Sequence, residues 1–198
     1  MKCIISRLLF LSLILVPALA SATVWNLDPD HSSIGFKVRH LMVTNVTGSF
    51  DKSSGMVRID DRDITKSSVS VTIDTASVNT GVRKRDDHLR SADFFDVARF
   101  PTMTFTSKKI IATGSDRLKV TGDLTIRGIT REVVLDVEGP TKEIRDPWGH
   151  TRRGASAVTR INRKDFGLVW NKALETGGVA VGDEVSIMLD VEMIKEDK

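Results

Sequence analysis

Between Glu184 and Met193 the chain puts Val185, Ile187, Leu189, Val191 and Met193 on one parity, with Glu184, Ser186, Asp190 and Glu192 on the other. A segment of this period buries one face only, and it does so as a β-strand with a dry side and a wet side. The alternation recurs along the chain. Ile34, Phe36, Val38 and His40 oppose Ser33, Gly35, Lys37 and Arg39, and Val46, Gly48 and Phe50 follow in the next strand. Val69, Val71 and Ile73 oppose Ser68, Ser70, Thr72 and Asp74. Leu118, Val120, Leu124 and Ile126 keep one parity across Gly122, and Val133, Leu135 and Val137 oppose Glu132, Asp136 and Glu138, with Val134 the exception. Eight or nine such segments joined by Gly, Asp and Ser turns predict an all-β domain, either an antiparallel sandwich or a barrel. Closure removes exposed strand edges, so the barrel is the expected form. A barrel of about eight strands either fills its interior with side chains or holds one small ligand.

One stretch breaks the pattern. Arg85 to Ser107 reads RDDHLRSADFFDVARFPTMTFTS, a charged helical turn running into Phe94-Phe95 and stopped by Phe100-Pro101. Leu89, Ala92 and Phe95 are spaced three apart, which predicts a short helix over roughly Val82–Phe95 lying across the barrel mouth. Thr80 is the expected cap, Asp86 and Asp87 suit the first turn, and Pro101 forbids continuation. Gly139–Gly154, with Pro140, Pro147, Trp148 and Gly149, reads as a long loop, and Asn162–Gly182 as another.

Residues 1–22 read as a cleavable secretory leader. Lys2 and Arg7 precede a short apolar run, and Ala18-Leu19-Ala20 and Ala20-Ser21-Ala22 offer small-residue cleavage sites. The run is too short for a stable membrane span. Residues 23–198 then form a single domain, exported to a periplasm or beyond. The lone cysteine, Cys3, leaves with the leader, so the mature chain has neither a disulfide nor a thiolate ligand. Lys2 and Arg7 leave too, and 29 basic residues become 27 against 26 acidic ones. A near-neutral domain has no electrostatic case for nucleic acid.

The chemistry-bearing residues are sparse. No H-E-x-x-H motif, phosphate-cradling glycine loop or dinucleotide fingerprint is present, so no catalytic residue and no cofactor is expected. The remaining alternative is a periplasmic metal-dependent enzyme or metal-binding protein built on His31, His40 and nearby acids. A zinc site there requires three or four converging ligands. The apolar residues are more telling. Phe36, Val38, Met42, Phe50, Val71, Ile73, Leu89, Phe94, Phe95, Phe105, Leu124 and Ile126 are the expected lining of an apolar interior, and Arg85 with His88 the candidates for a polar head group at its door. A guanidinium's planar fork suits such a head.

Several motifs carry a family resemblance. Trp25-Asn26-Leu27-Asp28-Pro29-Asp30-His31-Ser32 leads into Phe36-Lys37-Val38-Arg39-His40 and Gly48-Ser49-Phe50. Ser77-Val78-Asn79-Thr80-Gly81, Arg85-Asp86-Asp87-His88-Leu89, Asp93-Phe94-Phe95-Asp96-Val97 and Phe100-Pro101 follow in order, then Gly122 to Gly128 and Arg163 to Gly167. Over residues 24–195 the chain resembles the YceI-like family of exported, lipocalin-like proteins. The resemblance implies an eight-stranded antiparallel barrel with an internal tunnel. It implies a long apolar ligand: a polyisoprenoid, a quinone tail or a fatty amide. It is also consistent with a homodimer.

Overall fold

Ladder pairing closes the sheet on itself, so each of its eight wall strands has a neighbour on both sides. The computed structural model describes residues 22–175 and 177–196. In chain order its elements are β1 (Thr23–His40), β2 (Thr44–Phe50), β3 (Ser53–Ile59), β4 (Ser68–Asp74), β5 (Val78–Asn79) and α1 (Arg83–Arg90), then β6 (Thr102–Ala112), β7 (Arg117–Ile126), β8 (Ile129–Glu138), β9 (Ile144–Arg145), β10 (Thr151–Asn162) and β11 (Val181–Lys195). Antiparallel neighbours run β1, β3, β4, β6, β7, β8, β10, β11, and β11 returns to β1. β2 pairs with the far half of β1 that β3 leaves free, so β2 and β3 are one wall interrupted at Asp51-Lys52. The result is the expected closed eight-stranded barrel. β5 and β9 are short additions at its two ends.

Local sequence explains the connections. Arg127 and Gly128, both with positive φ, make a two-residue hairpin that sets Ile126 opposite Ile129. Gly128 meets the demand of such a turn at no steric cost. In β1 the register with β11 shifts between Asp28 and Ser33. That irregularity lets Trp25 and Leu27 face inward on odd numbers while Ile34, Phe36 and Val38 do so on even ones.

The helix is shorter than the spacing predicts. α1 ends at Arg90 because Ser91 turns extended, its hydroxyl donating to the His88 carbonyl. Leu89 and Phe95 still face the interior, but through the turns that follow, where the Phe95 N–H donates to the Leu89 carbonyl. Ala92 is exposed. Nor does Thr80 cap the helix: Val82 occupies that position without a side-chain bond. Gly81, in the left-handed region, turns Thr80 back across the first helical turn, where Asp86 accepts from both its N–H and its hydroxyl.

Candidate ligand-binding site

The inward faces do not meet. They enclose a cavity of about 650 Å³ that runs the length of the barrel. This lies in the range of about 300–1,000 Å³ found for small-molecule sites. Its wall is built from the alternating positions of the barrel strands, among them Val71 and Ile73 of β4, Phe105 of β6, Leu124 and Ile126 of β7, and the whole odd-numbered set of β11 from Val185 to Met193. Two inward glycines keep the lumen open. A Cβ at Gly48 would collide with the Phe36 ring, and one at Gly122 with the Phe105 ring. Both rings therefore lie along the wall instead of across the channel. Phe36, Phe50 and Phe95 form a ladder of rings with centroids 5.8 and 5.4 Å apart.

Eleven of the twelve residues expected to line an apolar interior do so: Phe36, Val38, Phe50, Val71, Ile73, Leu89, Phe94, Phe95, Phe105, Leu124 and Ile126. Met42 does not. The chain turns at Leu41-Met42, both with positive φ, so Met42 points away from the barrel. His40, which shares the parity of Ile34, Phe36 and Val38, lines the same space, and so does Trp170, which lies in a segment without periodicity.

The two ends differ. At the α1 end Arg39, Val82 and Lys84 are the exposed members of the lining, so the cavity opens there. His88 stands edge-on to Phe94 and Trp170, at 5.0 and 4.8 Å, with its Nε2 2.9 Å from Asp93. Arg85 donates from Nε to the Thr80 hydroxyl and from Nη2 to the Thr80 carbonyl, and among the described residues it meets no carboxylate. Arg90, by contrast, is turned away onto the carbonyls of Ala76 and Val78. The polar lining at the mouth is thus basic or neutral: Arg39, Lys84, Arg85, His40, His88 and Thr80, with no Asp or Glu in the described wall. Arg163 is buried nearby and spent on backbone, donating to the carbonyls of Leu168, Trp170 and Gly182.

The opposite end is shut. Trp25, fully buried, packs with Ile59 and Met193, which line the cavity, and Arg153 lies over its ring at 5.1 Å. Around this floor Arg152 bonds Asp28 at 2.6 Å, Asp146 at 2.5 Å and Glu192, and His31 Nδ1 sits 2.9 Å from Asp28. The network pins the Gly139–Gly154 loop to β1 and β11. It also bears on the metal alternative. Asp28, His31 and Glu192 bring donor atoms within 4.8 Å of one another, but Arg152 already lies against both carboxylates. His40 is at the other end of β1, opposite Val181.

Burial opposes ionisation of Asp28 and Asp146. Bonds from His31 and Arg152 to the first, and from Arg152 and backbone N–H groups to the second, outweigh it and hold both carboxyls below their ordinary value. The Asp28 bond raises His31. The carboxylates therefore contribute stability above about pH 3.8, lost as pH falls through their lowered values. The His31 contribution is complete below about pH 6.5 and fades as pH rises through its raised one. Calorimetry across acid and neutral pH is expected to show a midpoint that declines on both sides of this window. In Arg152→Leu the acid limb should reverse, because protonation then relieves three crowded carboxylates. A variant that keeps the wild-type acid limb shows that Arg152 does not hold the network.

A closed antiparallel barrel around an apolar cavity, with a helix at its mouth, defines the lipocalin-like class. Within it the chain belongs to the YceI-like family, whose domain model matches residues 25–193. A UPF0312 protein of Staphylococcus aureus is 40% identical over 172 residues, covering 86% of this chain and 96% of the relative. The crystal structure of BcnA from Burkholderia cenocepacia matches with a TM-score of 0.72 at 26% identity, over 84% of this chain and 98% of that one. A polyisoprenoid binding domain from Saccharophagus degradans shares the fold, with a TM-score of 0.64 at 19% identity over 88% and 99%.

Proposed function

We propose that this protein is an exported carrier or sequestering protein that encloses one long apolar ligand, a polyisoprenoid, quinone tail or fatty amide, with its head at the α1 mouth. The observation that carries the reading is the hollow interior itself. A domain that served only stability would fill such a space, since interiors pack to near-crystalline density. Burial of about 0.8 kcal/mol per CH₂ makes ten methylenes nominally worth about 8 kcal/mol. A long isoprenoid would exceed the observed ceiling of about 18–21 kcal/mol, so ordering entropy sets the affinity as much as length does. The name of the Saccharophagus degradans domain supports the ligand class. Export rests on the leader read in residues 1–22, of which 1–21 lie outside the described residues. Among the described residues no helix is long and apolar enough to cross a membrane.

Arg85, with His88 beside it, receives the head group in this reading. Among the described residues the wall holds no carboxylate, which favours an anionic head, and Arg85 has no acid partner to give up. Native mass spectrometry after gentle purification tests the whole. A co-purifying lipid mass is expected, whereas bound metal with an empty barrel would overturn the proposal. Arg85→Ala should weaken an isoprenoid pyrophosphate about tenfold or more, the scale of a lost charge-assisted bond, and leave the neutral alcohol nearly unchanged. Equal effects on both remove Arg85 from the head-group site.

A further inference from the structure

Water-exposed apolar side chains ring the open end. Leu41, Met42 and Val43 in the β1–β2 turn are 39%, 41% and 72% exposed, and Val82 at the start of α1 is 46% exposed. The turn is closed by the Val43 N–H donating to the His40 carbonyl at 3.1 Å, with φ of 49° at Leu41 and 60° at Met42. Two consecutive left-handed residues favour Asn-Gly and disfavour branched or bulky side chains. Leu-Met here accepts backbone strain in order to hold two apolar side chains in water. Strain kept at one place is a pointer to use at that place.

The surroundings are basic. Arg39 and Lys84 are exposed, line the opening and form no ion pair among the described residues, and Arg39 donates to the Met42 carbonyl at 2.8 Å. Leu41 is tied through its N–H to the Ala180 carbonyl, and the Ala180 N–H to that of Lys172, another exposed base. Of the nearby acids, Asp87 faces Arg83 and Arg90, Asp93 faces His88 and Asp183 faces Lys164, which leaves Glu175 on the adjacent loop. Ile144 and Trp148 are exposed too, but they flank the shut end and no opening adjoins them.

We infer that this rim docks on an anionic lipid bilayer, with Leu41, Met42 and Val43 entering the interface and Arg39 and Lys84 meeting lipid phosphates. An apolar ligand then passes between bilayer and cavity without crossing water. The inference rests on the lipid-binding reading above. A protruding hairpin tip beside a cavity mouth suits a fluid interface better than the flat or grooved surface of a protein partner, and apolar burial plus basic residues is what interfacial binding requires.

Co-sedimentation with vesicles of phosphatidylcholine, with and without phosphatidylglycerol, provides the test. The wild type should bind the anionic vesicles, less so at high salt. Lys84→Glu should weaken binding by about fivefold or more per charge changed. Leu41→Asn with Met42→Gly supplies the preferred turn residues, so the thermal midpoint should hold or rise while vesicle binding falls about tenfold or more. Wild-type binding by that double variant overturns the inference. So does a concentration-dependent dimer that it abolishes, which assigns the rim to a second copy. Failure of docking is separable from failure of the lipid reading: a wild type that carries lipid in native mass spectra but ignores vesicles loses only the docking.

Discussion

Val71→Trp is expected to empty the barrel of ligand and, in the delipidated protein, to raise the thermal midpoint. Val71 faces the lumen from β4, opposite Phe105 in the ladder and beside Gly55. In a solid core an added indole overpacks and costs about 1–3 kcal/mol. Here the added ring enters apolar space that no side chain fills. It should gain contacts of the cavity-filling kind, about 0.5–2 kcal/mol, or about 1–8 °C in a domain of this size. Ligand retained through purification should fall about tenfold or more, since the ring occupies volume that the tail needs. Comparison must be made after delipidation, because a bound ligand stabilises the wild type by mass action. The sign of the midpoint shift is the decisive reading. A loss of several degrees with ligand content unchanged means that the interior is packed and the cavity is not a binding site.

That hollowness was only partly legible in the sequence. Period-two patterning survives where one face is wet, and the strands carrying Val71, Leu124, Val133 and Val185 turn the face it predicts inward. Alternation says which side chains face in, but not whether they meet. Phe36 and Phe105 show why: whether such rings span a lumen or lie along its wall depends on Gly48 and Gly122 on neighbouring strands. Met42 has the parity of the inward residues of β1 but lies past the reversal at Leu41, so it leaves the lining. Leu-Met holds none of the usual turn chemistry, so nothing local marked the reversal at Leu41. The Trp25 face was hidden by the irregularity between Asp28 and Ser33, which switches parity within one strand. Arg152 lay beyond any local reading, because Asp28 and Glu192 reach it only after the barrel closes.

Trp25→Ala is expected to cost about 3–5 kcal/mol, or about 6–20 °C in midpoint, the largest loss of any single truncation at the floor. Its ring is 0% exposed and packs with Ile59 and Met193, while Arg153 and Lys195 cover it from outside at 5.1 and 5.5 Å. Trp25→Phe separates packing from polarity. The indole N–H has no partner among the described residues, and a buried unpaired donor costs about 1–3 kcal/mol. Phenylalanine removes that penalty while giving up part of the ring, so its net cost should stay well below that of alanine. Calorimetry on the three proteins decides, and a Phe variant as damaged as the Ala variant would show that the indole N–H carries the site. The functional consequence follows from position. Ile59 and Met193 line the lumen with Trp25 behind them, so alanine opens a path from the cavity floor to water. Ligand release on dilution should then be faster in Trp25→Ala than in Trp25→Phe, because an apolar tail sealed at one end leaves only through the mouth, and a breached floor gives water access to the end that the fold keeps dry.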